Sequence, residues 1–210
     1  MIRCGRFWNG WPNCAVARPT TRTAGYFRWC THLCLFERMT AQSFGPCATH
    51  AAWLVNPPTM IFAFLAPYNA RRDSLGEFWN RVYGRHHAVL VITGFYENVP
   101  RHLYEHRDLR PGEDKQNLVL EFDPRPRKEM LVACVWDRWT QAGAPDLDSF
   151  AAITDEPPEE IAATGHQRCV ISLREENLEQ WLTPAGVSRE RLEAILSERD
   201  APYYEHQIAA

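Results

Sequence analysis

Ala88-Val89-Leu90-Val91-Ile92-Thr93-Gly94-Phe95-Tyr96-Glu97 holds the clearest strand signal in the chain. Ala88 to Thr93 is short, apolar and β-branched, without polar alternation, and it ends on a glycine, which predicts a buried central strand. Phe95, Tyr96 and Glu97 are then delivered at its end. A carboxylate directly after so apolar a run is expected to be partly desolvated, with its pKa pushed upward, as suits acid–base work near neutral pH. A strand-end glutamate in solvent is the plainer alternative.

Working outward, Met60 to Ala66 is an apolar strand candidate that leads into Tyr68-Asn69-Ala70-Arg71. Residues two apart on a strand share a face, so Asn69 and Arg71 should project together, an amide beside a guanidinium suited to phosphate. Ser74 to Tyr83 has a helix start, with Ser74 as cap and Glu77 three residues on. On the other side, His102 to Gln116 reads as an exposed connection. Strands are expected at Asn117 to Phe122, Met130 to Trp136, Ser149 to Thr154 and Arg168 to Leu173, with a turn over Asp123 to Lys128. Asp155 to Glu160 should be a loop or helix start leading to Ile161 to Ala163. Glu175 to Leu182 and Ser188 to Arg199 carry apolar residues at helical spacing. The first sixty residues alternate turn-formers and aromatics without sustained periodicity, which predicts irregular structure and short strands. The sum is an antiparallel-rich α+β fold, and 210 residues at 45% apolar content suit one domain spanning 1–210.

The formal charge of −3 is unevenly spread: residues 1 to 110 carry +7 and the remainder −10. A phosphate-binding face needs local positive potential, which Arg3, Arg6, Arg18, Arg22, Arg28, Arg71, Arg72, Arg81 and Arg85 could provide; an ordinary solvated surface is the alternative. No stretch is long and apolar enough to span a membrane, and the arginine-dotted start lacks a secretory signal, so a soluble, cytoplasmic protein is expected. Seven cysteines without a compact framework read as reduced thiols. Cys30, Cys34, Cys47 and His50 form C-x3-C-x12-C-x2-H, which is either a zinc set or a group of buried thiols. No nucleophile elbow, phosphate-cradling glycine loop or His-Glu-x-x-His pair occurs. His166 stands at the entrance of a strand with Arg168 two residues on; a structural histidine is the alternative to a catalytic one. Cys4, in Cys4-Gly5-Arg6-Phe7, would join an α-amine and a thiol on one carbon skeleton if residues 1 to 3 were removed, and such a pair captures aldehydes.

These patches, in this order, together with Val132-Ala133-Cys134-Val135-Trp136-Asp137-Arg138-Trp139 and Ser149-Phe150-Ala151-Ala152-Ile153-Thr154, resemble the SOS-response-associated peptidase family of abasic-site processing, DNA–protein crosslinking proteins. The similarity is clearest over residues 67–182. The resemblance implies barrel-like, mostly antiparallel sheets with flanking helices, no cofactor, and single-stranded DNA containing abasic sites as partner. It also implies roles: Cys4 as the nucleophile forming a thiazolidine with the sugar aldehyde, Asn69 and Arg71 holding sugar and phosphate, Glu97 shuttling protons and His166 assisting ring-opening. Arg168 and Arg6 are expected as further DNA contacts. The chain departs from the family at Asn98, where tryptophan is usual, at Val170, where proline is usual, and in placing Met1-Ile2-Arg3 before the cysteine, so that a cut after Arg3 is needed. Two other functions are compatible with the residues: a cysteine peptidase or amidase using Cys4, His166 and Glu97, and a zinc-dependent binding module.

Overall fold

The structure, a computed structural model, describes residues 69–140, 142–143 and 147–209, together with the backbone of 14–17 and 33–37. Cys4, Arg6, Cys30, Cys47, His50 and the strand expected at Met60 to Ala66 lie outside the described residues, and of Cys34 only the backbone is described. In chain order the elements are β1 (Cys14–Ala17), β2 (Leu33–Glu37), β3 (Asn69–Arg71), β4 (His87–Ile92), β5 (Phe95–Pro100), α1 (Arg101–Tyr104), β6 (Asn117–Arg125), β7 (Met130–Trp139), β8 (Leu147–Asp155), α2 (Glu159–Ala162), β9 (Cys169–Val170), α3 (Leu178–Leu182), α4 (Arg189–Ser197) and β10 (Tyr203–Ile208).

β4 is buried at all six positions, as its unbroken apolar sequence requires, and its alternation explains the layering. Val89 and Val91 face a helical layer with Leu178, Trp181, Leu192 and Ile195. Ala88, Leu90 and Ile92 face the opposite way, onto Phe95, Val99, Leu120 and Phe122. A seven-stranded sheet, ordered β1-β2-β4-β7-β8-β3 with β9 also on β8, is thus covered by helices on one face and by a three-stranded sheet, ordered β10-β6-β5, on the other. All pairings are antiparallel except that of β3 with β8. The expected barrel-like closure is not found. Among the described residues the two sheets stay open, because the chain leaves β4 for a separate narrow sheet instead of continuing the ladder.

Gly94 makes that departure. A Cβ there would sit 2.8 Å from the Phe122 carbonyl oxygen, so only glycine lets the corner between β4 and β5 close against β6. Ser74 to Tyr83, expected as a helix, is instead a 3-10 turn at Arg72–Ser74 followed by irregular turns. Ser74 Oγ donates back to the Arg71 carbonyl at 2.9 Å instead of capping a helix start. Leu75, Trp79, Val82 and Tyr83 nevertheless keep helical spacing and are buried under α4. The strand expected at Arg168 to Leu173 is a ladder only over Cys169–Val170. Beyond it the segment stitches two neighbours: Ile171 N–H donates to the Ile153 carbonyl, and Leu173 N–H to that of Leu131.

Candidate active site

The parallel pairing of β3 sets Asn69 opposite Ala152 and Arg71 opposite Thr154, and β8 carries Asp155 across to Cys169 on its other edge. Ala70 is fully buried, so Asn69, half-buried, and Arg71, exposed, share the outward face, as the spacing predicts. Arg71 pairs with Asp73 through two hydrogen bonds, of 3.1 and 2.5 Å. Arg168, arriving from the segment before β9, puts Nη2 3.7 Å from the same aspartate. Among the described residues its Nε and Nη2 are buried without a hydrogen bond.

Two residues earlier, His166 Nε2 lies 3.4 Å from Glu97 Oε2, with the two side chains 18% and 15% exposed. The histidine is set in place by Gly165, whose positive φ of 87° follows the α2 turn and whose missing side chain makes room for Leu103 of α1; a Cβ would stand 2.6 Å from Leu103 Cβ. Glu97 comes from β5, three residues past the Gly94 corner. Burial pushes its carboxyl up to about 7 and holds the His166 imidazole below its ordinary value. Near neutral pH the raised carboxyl is therefore able both to give and to take a proton while the imidazole is neutral, as a proton donor and acceptor side by side require. Behind them Cys169 is buried, and burial together with the nearby Glu97 charge raises its thiol to about 12, so it stays a neutral wall and not a nucleophile. Cys134 is likewise buried.

The structure thus brings together Glu97 with His166, and Arg71 with Arg168 through Asp73, the two clusters joined by His166-Gln167-Arg168. Two other arginines expected at a phosphate face are committed elsewhere. Arg72 is tied to Asp155 and Glu193 at 3.1 and 3.3 Å, linking β8 to α4, and Arg81 is paired with Asp137. Asp73 and Gly165 are the site residues that sequence reasoning missed. An aspartate two positions after Arg71 was a visible signal, whereas the Gly165 contact joins residues sixty-two positions apart. Among the described residues no group of three or more His, Cys, Asp or Glu gathers to hold a metal ion, and no helix is long and apolar enough to cross a membrane.

An α+β fold with two stacked open sheets, holding a buried acid beside a histidine and a pair of arginines, defines the class. The chain belongs to the SOS response associated peptidase (SRAP) family, whose pattern matches residues 45–209. Its fold is similar to that of a Bacteroides thetaiotaomicron protein (18% identity, TM-score 0.52, covering 69% of this chain and 59% of that one). It is also similar to a Bordetella bronchiseptica protein (16%, TM-score 0.52, 70% and 67%) and to a phage-related protein of the same organism (18%, TM-score 0.50, 67% and 62%). The chain therefore spans about 59% of the length of the first of these relatives. No curated protein matches it.

Proposed function

We propose that this protein captures the aldehyde of abasic sites in single-stranded DNA through Cys4, once residues 1 to 3 are removed, as part of a DNA-damage response. The observation that carries this reading is the buried Glu97 carboxyl, poised near 7 and 3.4 Å from His166. In the proposed sequence His166 moves the proton of the anomeric hydroxyl to the ring oxygen, opening the sugar to its aldehyde. The α-amine of Cys4 adds to that carbon. Protonated Glu97 gives its proton to the resulting hydroxyl, which leaves as water and generates an iminium. The Glu97 carboxylate then takes the thiol proton as sulfur bonds to the iminium carbon and closes a thiazolidine. One water is released per crosslink and Glu97 ends as it began, so a single carboxyl with a pKa near the working pH can serve both steps. Asn69, Arg71 and Arg168 hold the sugar and its flanking phosphates.

Incubation of protein whose N-terminus is confirmed as Cys4 by mass spectrometry with abasic single-stranded DNA should give a shifted band on a denaturing gel, lost in Cys4→Ala. No shifted band from the wild type rejects the proposal. The placement of a carboxylate against His166 also favours a second reading, a thiol peptidase in which Glu97 orients the histidine base. Peptide turnover that is lost in Cys4→Ala, with no DNA crosslink formed by the wild type, would select it.

A further inference from the structure

Beside His166 lies an open, shallow depression in the surface. Leu103, Pro157 and Ala162 give it apolar walls, and Glu156 and Gln167 bring polar groups to it. Among the described residues its lining holds no lysine or arginine, which makes it ill-suited to phosphate; the described cations of the site gather instead around Asp73. Glu156 is anchored through its backbone, where Arg199 Nη1 reaches its carbonyl at 3.5 Å and the neighbouring Asp155 carboxylate at 3.4 Å. Its own carboxylate makes no ion pair or hydrogen bond among the described residues and is left to accept from a ligand. Leu103, at 39% exposure, is among the few large apolar side chains left open, and it sits on this wall.

We propose that this hollow receives the nucleobase adjacent to the abasic sugar, and that Glu156 and Gln167 select a base carrying an exocyclic amine. The inference rests on the reading of His166 as a residue at the abasic sugar, because the hollow shares that side chain. The flat face of a base can lie against Leu103, Pro157 and Ala162, a surface that a charged backbone would not favour. A carboxylate accepts from the amine of cytosine or adenine, and the Gln167 amide can donate to the ring nitrogen beside it. Thymine offers a carbonyl where the amine would be and meets the carboxylate with an unpaired acceptor.

The test uses oligonucleotides whose lesion is a tetrahydrofuran residue, which has no aldehyde, so binding is read without covalent chemistry. With cytosine, adenine or thymine placed on either side of the lesion, fluorescence anisotropy should show cytosine and adenine binding roughly fivefold or more tighter than thymine on one of the two sides. Glu156→Ala should bring that ratio close to one, and Gln167→Ala should reduce it. Equal affinity for all three bases on both sides, or a ratio unchanged in both variants, overturns the inference. The same oligonucleotides with true abasic sites report the covalent reaction on denaturing gels. Crosslinking without base discrimination removes the base site and keeps the capture reaction. Discrimination in binding without any crosslink keeps the base site and removes the capture reaction. Absence of binding to every tetrahydrofuran oligonucleotide overturns the base site.

Discussion

A carboxyl that titrates near 7 inside a fold is one whose charge the fold resists. The folded pKa of Glu97 stands above its ordinary 4.5, so its burial carries no penalty below pH 4.5, and stability is lost as pH rises through 7. Glu97→Gln should therefore unfold at higher urea than the wild type at pH 8, by up to about 3 kcal/mol, with no difference at pH 4. In the same variant crosslinking to abasic DNA should slow by roughly a hundredfold or more. A variant that crosslinks at the wild-type rate removes Glu97 from the chemistry. Asp73 makes the complementary case, since it occupies the face of two guanidiniums that a phosphate would otherwise meet. Asp73→Asn should tighten binding to single-stranded DNA several-fold and steepen its salt dependence by roughly one unit of slope; an unchanged salt slope would show that Arg71 and Arg168 do not meet the backbone. The placement of Glu97 just past the apolar β4 run, and of Asn69 and Arg71 on one strand face, was legible from apolar run and strand spacing, whereas His166 was singled out by the family resemblance. The commitment of Arg72 was not legible, because the carboxylates that neutralise it lie 83 and 121 residues away and only the packing of β8 and α4 brings them near.

Elements with dense apolar, β-branched runs were legible: β4, β6, β7 and β8 fall where Ala88 to Thr93, Asn117 to Phe122, Met130 to Trp136 and Ser149 to Thr154 predict strands, with β4 shifted by one residue and β6 running to Arg125, into the stretch expected as a turn. β10 gave no such signal. Of Tyr203–Ile208 only Tyr204 is buried, because the strand lies at the edge of the narrow sheet and packs against Phe95 through a single ring. The helix expected from Ser74 fails for a local reason visible only in the fold, where the serine hydroxyl is taken by the carbonyl three residues back. α2 and the turn after it depend on Gly165. Gly165→Ala would force a positive φ on alanine and press its Cβ into Leu103, so it should cost about 1–3 kcal/mol in denaturant unfolding and weaken crosslinking by displacing His166. A Gly165→Ala protein of wild-type stability and activity would mean that the α1 contact does not set the histidine.

Across the whole molecule, two buried groups on opposite faces of the wide sheet respond to pH in opposite senses. His87 is stacked between Tyr83 and Trp181, accepts from Gly84 N–H and donates to the Trp181 carbonyl, and burial holds it down at about 4. The unfolded chain takes up that proton first, so its contribution is complete above pH 6.5 and is lost toward pH 4, on the order of 3 kcal/mol. Between pH 4.5 and 6.5 the Glu97 slope runs against it, and the two nearly cancel. Glu97→Gln should expose the histidine slope, so that its unfolding midpoint falls on acidification from 6.5 to 4.5 while that of the wild type stays comparatively flat; parallel profiles would show that one of the two groups is not titrating as its surroundings dictate. The chain passes between the two sheets at the Gly94 corner and again over residues 126–129, with Glu97 riding on the narrow sheet and His166 on the segment sewn into the wide one. Their separation is therefore a gauge of how tightly the layers are seated, and anything that wedges the layers apart retunes the acid without ever touching it.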